Sequence, residues 1–273
     1  MRRAVAGARA TVLGSALSAA AACTPTPSAS PDSAPTPEGL DTGGGAAAER
    51  PLTLSGVRYT LAWERGAAQV DSAGVALRTA AGVEVRITEG YVISATATLV
   101  PCAELEAGRT APPGHGTFDD PSSSVWALAE ALHAPATATL AEAVMEPTAY
   151  CRAHYMLSPD LVGDGRMPEG VDDRGWSLRL TGSYIDPNGA TVPFVVRTEA
   201  AWGELWTLAD LAGAAPSAAA GQAVELRITR RIDTLFDDVD LGALAADQGE
   251  TLGAALLGRL IADTEATLHP VAL

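Results

Sequence analysis

From Leu52 onward the chain alternates apolar and polar residues with a period of two. Val57, Tyr59, Leu61 and Trp63 are separated by Arg58, Thr60 and Ala62. Val83, Val85 and Ile87 enclose Glu84 and Arg86, and Tyr91, Ile93, Ala95, Ala97 and Leu99 form a further stripe. Trp176, Leu178, Leu180 and Tyr184 alternate with Ser177, Arg179, Thr181 and Ser183. Val192, Phe194 and Val196 share one parity, opposed by Arg197 and Glu199, and Val224, Leu226 and Ile228 alternate with Glu225, Arg227 and Thr229. Successive side chains of a strand point to opposite faces, so this pattern buries one face and leaves the other in water. Such one-sided burial belongs to antiparallel sheets. Asp186-Pro187-Asn188-Gly189 lies between two such runs and reads as a hairpin turn. Pro193, which cannot donate to a ladder, marks an edge strand. About seven to nine strands of this kind predict an antiparallel β-sandwich, immunoglobulin-like in layout.

Two helical parts are expected to interrupt it. Val125, Leu128 and Leu132 fall on one helical face behind Ser122-Ser123-Ser124, which supplies an N-cap. This predicts a small helical cap inserted at 103–149, with His133 at the end of its helix. Near the C-terminus Leu252, Leu256 and Leu260 recur every fourth residue, with Leu257 and Ile261 widening the stripe, as in a helix docked on a sheet.

The first fifty residues have a different character. Met1-Arg2-Arg3 and Arg9 precede a short small-residue run from Ala10 to Ala22, too short to span a bilayer. Residues 1–22 therefore read as an export signal. Its end, Ser18-Ala19-Ala20-Ala21-Ala22-Cys23, resembles the lipobox of bacterial lipoproteins, with Ala20 where Leu is preferred. The resemblance implies lipidation of Cys23; the alternative is ordinary cleavage after Ala22. Residues 23–50 are rich in Pro, Gly, Ser and Ala and read as a disordered tether of about 30 Å. Residues 51–273 form the folded domain. Thr24 after Cys23 implies retention at the outer membrane. Lipidation of Cys23 leaves Cys102 and Cys151, which in an exported chain most simply form one disulfide tying the inserted cap to the sandwich.

Charge narrows the partners. The whole chain carries 18 cations, all Arg, against 33 acids, a formal charge of −15. Phosphate binding needs a cationic surface, so nucleic acid is excluded as a partner. The membrane is reached through the lipid anchor.

The chain lacks Gly-x-Ser-x-Gly, His-Glu-x-x-His, a Walker loop and Cys-x-x-Cys. Asp164-Gly165 and Asp237-Asp238-Val239-Asp240 do not match calcium-loop spacing. An enzyme is therefore not expected, although no carboxylate pair of a hydrolase is ruled out by composition. A metal site is the sharper reading. In an extended strand His154 and Met156 point to one face, roughly 7 Å apart along the chain. Imidazole and thioether suit copper, above all Cu(I). His115, in Pro112-Pro113-Gly114-His115-Gly116, would swing over as a third ligand, and His133 is a weaker candidate. Without a metal, His154 would hydrogen-bond within the sheet and Met156 would pack.

Gly90-Tyr91-Val92-Ile93-Ser94-Ala95-Thr96-Ala97-Thr98-Leu99-Val100-Pro101-Cys102, followed by Tyr150-Cys151-Arg152-Ala153-His154-Tyr155, resembles uncharacterised exported lipoproteins of GC-rich Gram-negative bacteria. Leu235-Phe236-Asp237-Asp238-Val239-Asp240 is similar to a Phe-Asp-Gly-Val-Asp turn in those proteins, with Asp238 in place of the Gly. They in turn resemble, at the level of layout, the MbnP-like periplasmic copper proteins, which are β-sandwiches. No metal ligand of that family maps onto a position here. The expectation is an exported lipoprotein whose domain binds a ligand or metal, with copper as the candidate. The alternatives are a structural or surface-interaction domain without a small ligand, and an undetected hydrolase.

Overall fold

The computed structural model describes residues 51–103, 127–133, 136–146, 148–159, 175–212, 221–242 and 250–273. They are mainly β. The order is β1 (Leu52–Glu64), β2 (Gln69–Asp71), β3 (Gly74–Arg78), β4 (Glu84–Pro101), β5 (Leu128–Ala131), β6 (Thr137–Val144) and β7 (Ala149–Leu157). Then come β8 (Leu178–Ile185), β9 (Thr191–Thr198), β10 (Trp202–Thr207), a short α1 (Leu208–Ala212), β11 (Gln222–Arg231), α2 (Glu250–Ala262) and β12 (Glu265–Val271).

The spine is β4. Along one edge β8 pairs with Val85–Val92 and β7 with Ser94–Pro101, end to end. Ile93 closes the seam: its N–H donates to Ser177 O, and its carbonyl accepts from Ser158 N. The other edge takes β3 and then β5. Beyond them, β9 pairs with β8 and β10 with β7. The remaining strands gather on β1, whose Leu52 and Thr53 pair with β7 while the rest of the strand pairs with β6 and β11. Strand β1 therefore leads from one half of the curl to the other.

This corrects the expected antiparallel, immunoglobulin-like sandwich. Strands β1 and β11 run parallel from Leu54 to Glu64 against Gln222 to Arg231, so the sheet is mixed, and it curls into a half-barrel. A parallel pair needs a long crossover. Here that crossover is most of the chain, which no local pattern announces.

The helical cap is also corrected within the described residues. Leu128–Ala131 and Thr137–Val144 are strands, and His133 lies exposed in a turn after β5. The four-residue spacing of Leu128 and Leu132 imitates a helical face. Pairing of β5 with Tyr91–Ser94 outweighs the helix propensity of this Ala-rich run.

The Tyr91–Leu99 stripe does not keep one face. The register shifts between Ser94 and Thr96, and a bulged residue reverses the parity of the strand beyond it. Val92, Ala97 and Leu99 join the main core, whereas Tyr91 and Ile93 pack on the opposite face with Ala129 and Trp176.

Other expectations hold. The β8–β9 hairpin turns at Asp186–Gly189, where Asp186 Oδ1 accepts from Asn188 N (2.9 Å) and Ala190 N (2.7 Å), and Gly189 takes a φ of 81°. Pro193 lies on β9, paired opposite Ser183 of β8. In α2, Leu256, Leu257, Leu260 and Ile261 are all buried, each contributing about 1.5–3 kcal/mol of transfer free energy. Gly253 brings this helix onto β9: a Cβ there would lie 2.5 Å from Arg197 O. Cys102 and Cys151 are bonded, with Cα atoms 4.9 Å apart. Closing a 49-residue separation contributes about 4 kcal/mol in the chain-entropy account.

Candidate functional site

Strand β7 presents two chemically different faces. Ala153, Tyr155 and Leu157 point into the core and are fully buried. His154 and Met156 point the other way, together with Arg152, which donates to Thr207 Oγ1 at 2.8 Å. Met156 is buried and His154 half-buried. Across the ladders they lie beside Thr96 and Thr98 of β4 and Gly203 and Leu205 of β10. Gly203 matters locally: a Cβ there would meet His154 Nε2 at 3.0 Å and Met156 Cβ at 3.6 Å. The imidazole thus leans over bare backbone beside the thioether strand position.

The two donors expected from spacing therefore share a face. Imidazole and thioether are a donor set suited to Cu(I), but two donors are fewer than a closed site uses. His115, the third candidate, lies outside the described residues, as does Cys23. Among the described residues no group of three or more His, Cys, Asp or Glu side chains is positioned to hold a metal ion.

The core face of the same strand holds a charged cluster that residue spacing did not reveal. Arg230 of β11 is fully buried, and Glu130 of β5 is 6 % exposed. Both guanidinium Nη atoms donate to the carboxylate: Nη1 to Glu130 Oε1, and Nη2 to Oε2 at 2.7 Å. Nη1 also reaches Ser94 Oγ at 3.1 Å and Tyr155 Oη at 3.3 Å. Ser94 donates to Glu130 Oε1 at 3.0 Å, so at its 2.7 Å contact with Tyr155 the phenol is the donor. Trp63 of β1 covers the cation, its ring centre 4.3 Å from Arg230 Cζ, and Tyr155 stacks near Trp206 at 6.3 Å.

Each partner reaches the cluster by strand parity. Trp63 continues the inward stripe of Val57, Tyr59 and Leu61, and Arg230 is the next inward position after Val224, Leu226 and Ile228. A cation on the apolar parity of β11 was the available signal. Glu130 gave none, because its segment reads as helix.

The electrostatics favour a locked pair. Burial alone would lower the Arg230 pKa, but the Glu130 carboxylate and Tyr155 outweigh it and raise the net value. Burial pushes the Tyr155 phenol above its usual range, against the opposing pull of Arg230. Bidentate pairing satisfies the carboxylate within the fold and pins β5 to β11. The arrangement holds charge in place.

No family model matches the chain, and no curated protein matches it. Among solved structures it is similar to MbnP from Methylosinus trichosporium, at 10% sequence identity and a TM-score of 0.34, covering 82% of this chain and 99% of that one. This agrees with the distant layout-level resemblance read from the sequence. A similarity of that size assigns no residue a role.

Proposed function

We propose that this protein is an exported binding module, anchored to the outer membrane through lipid on Cys23 and held off it by the tether of residues 23–50. The ligand fitted to its chemistry is a soft metal ion, Cu(I), held by His154 and Met156 with His115 completing the set. The observation that supports this most is the placement of an imidazole and a thioether on one face, over the bare backbone of Gly203. Met156 is buried on the face opposite Ala153, Tyr155 and Leu157. The Cys102–Cys151 disulfide suits the oxidising compartment that export implies.

Competition for Cu(I) against a chromophoric chelator tests the metal reading. The wild-type chain is expected to withdraw one equivalent, and His154→Ala, Met156→Leu and His115→Ala each to lose at least ten-fold in affinity. Equal competition by all four proteins rejects this site. Failure of labelled lipid to attach at Cys23 rejects the anchor.

The second reading is a structural or surface-interaction domain without a small ligand. The Arg230–Glu130 cluster supports it, since its charges are bound to one another and serve to fix strands. Absence of Cu(I) binding by the wild-type chain, with its disulfide intact, would favour that reading.

A further inference from the structure

Glu84, at the start of β4, lies at the end of that strand remote from Cys102. Two adjoining hollows, each about 480 Å³, meet at Tyr184 and Ile185. Each is within the size range of small-ligand sites. The hollows differ in charge. Around the first, Arg86 is paired with Asp71 at 2.6 Å, and Arg78 stands opposite Glu84 in the ladder, so the charges balance. The second is walled by Val83, Ile185, Phe236, Val239 and Leu241 and carries carboxylates at its rim.

Those carboxylates are not equivalent. Asp238 reaches Arg259 at 3.2 Å while its side chain remains 86 % exposed. Asp240 accepts from Gly242 N at 2.9 Å and has no cationic partner among the described residues. Asp238 also has a φ of 61°, the conformation for which the similar turn carries Gly.

We propose that the second hollow binds an amphipathic organic cation: an apolar body against the partly exposed Val83 and Leu241, and an ammonium group at Asp240. Charge complementarity selects the sign. The hollow bears an excess of carboxylate on a domain that is itself acidic, with 29 acids and 14 Arg in residues 51–273. An anion of the same shape would meet the Asp240 carboxylate, which has no cationic partner among the described residues. This site is independent of the copper reading, because its residues lie on the β3–β4 turn, the β8–β9 hairpin and the segment after β11 and include neither His154 nor Met156.

Three probes sharing one ring test it: phenethylammonium, 2-phenylethanol and phenylacetate, titrated into the full chain at low salt by ligand-observed NMR. The cation is expected to bind best, the alcohol more weakly and the anion worst. Asp240→Asn should weaken the cation about three- to five-fold, the size of one exposed charge contact, and leave the alcohol unchanged. Ala81→Trp, at an exposed turn position lining the hollow, should abolish binding of all three. Retained thermal melting identifies both variants as folded. No binding by any probe, equal binding of cation and anion, or an unchanged cation affinity in folded Asp240→Asn overturns the proposal.

Discussion

The two faces of β7 differ in what their polar groups are bound to. On the core side, Tyr155 belongs to a cluster in which Arg230, Glu130 and Ser94 bond one another, and Trp63 covers the cation. On the opposite side, His154 and Met156 stand beside Thr96, Thr98 and Gly203. One residue of offset separates a buried ion pair from a pair of soft donors. A buried polar network whose groups bond one another specifies which strands pack together.

Breaking the closed face should have the largest effect. We expect Glu130→Ala to cost about 3–5 kcal/mol, because it leaves the Arg230 charge buried and unpaired. Urea unfolding would measure it. The paired replacement Arg230→Met with Glu130→Leu should recover to within about 1 kcal/mol of wild type, since burying the pair costs nearly what its attraction returns. A double variant as unstable as Glu130→Ala would mean that the cluster does more than neutralise itself.

The disulfide comes next. Cys102→Ser with Cys151→Ser should lower stability by about 2–4 kcal/mol under oxidising conditions, by freeing the unfolded chain. Undiminished stability would contradict the bridge.

Tyr155→Phe removes the phenol that donates to Ser94 and accepts from Arg230, and should cost about 1–2 kcal/mol. It should also alter the alkaline limb of the stability curve. The folded pKa of Tyr155 is raised above the ordinary phenol value of 10.0, so above about pH 10 the unfolded chain releases this proton first. The unfolded state then binds fewer protons, and stability falls as pH rises. The slope above about pH 10 should shrink in Tyr155→Phe.

The ligand face should respond least in stability and most in binding. His154→Ala and Met156→Leu are expected to change unfolding free energy by less than about 1.5 kcal/mol while losing Cu(I) affinity. A much larger destabilisation of His154→Ala would move His154 from the ligand face to the structural one.

Much of this was legible one residue at a time. Leu178, Leu180 and Tyr184 face the core as their alternation requires, and Leu256, Leu257 and Leu260 form the buried face of a helix. The shared orientation of His154 and Met156 comes from a separation of two. What escaped was non-local. Glu130 could be paired with Arg230 only once Leu128–Ala131 was known to be a strand, and its short window carries both periods. The bulge between Ser94 and Thr96 moved Tyr91 and Ile93 away from the face of Ala97 and Leu99, and nothing in that largely apolar stretch marks where parity turns.

Local sequence was enough to locate six of the twelve described strands, the hairpin and the C-terminal helix, because side-chain direction repeats with the backbone. The lipobox resemblance, by setting Cys23 aside, led to the expectation that Cys102 and Cys151 pair, as they do. Packing in three dimensions chose which strands are neighbours, made β1 and β11 run parallel, and brought Arg230 to Glu130 in the core. Those outcomes depend on segments as much as 167 residues apart, such as Glu64 and Arg231, packing to mutual advantage, and that free energy has no signature in any single window.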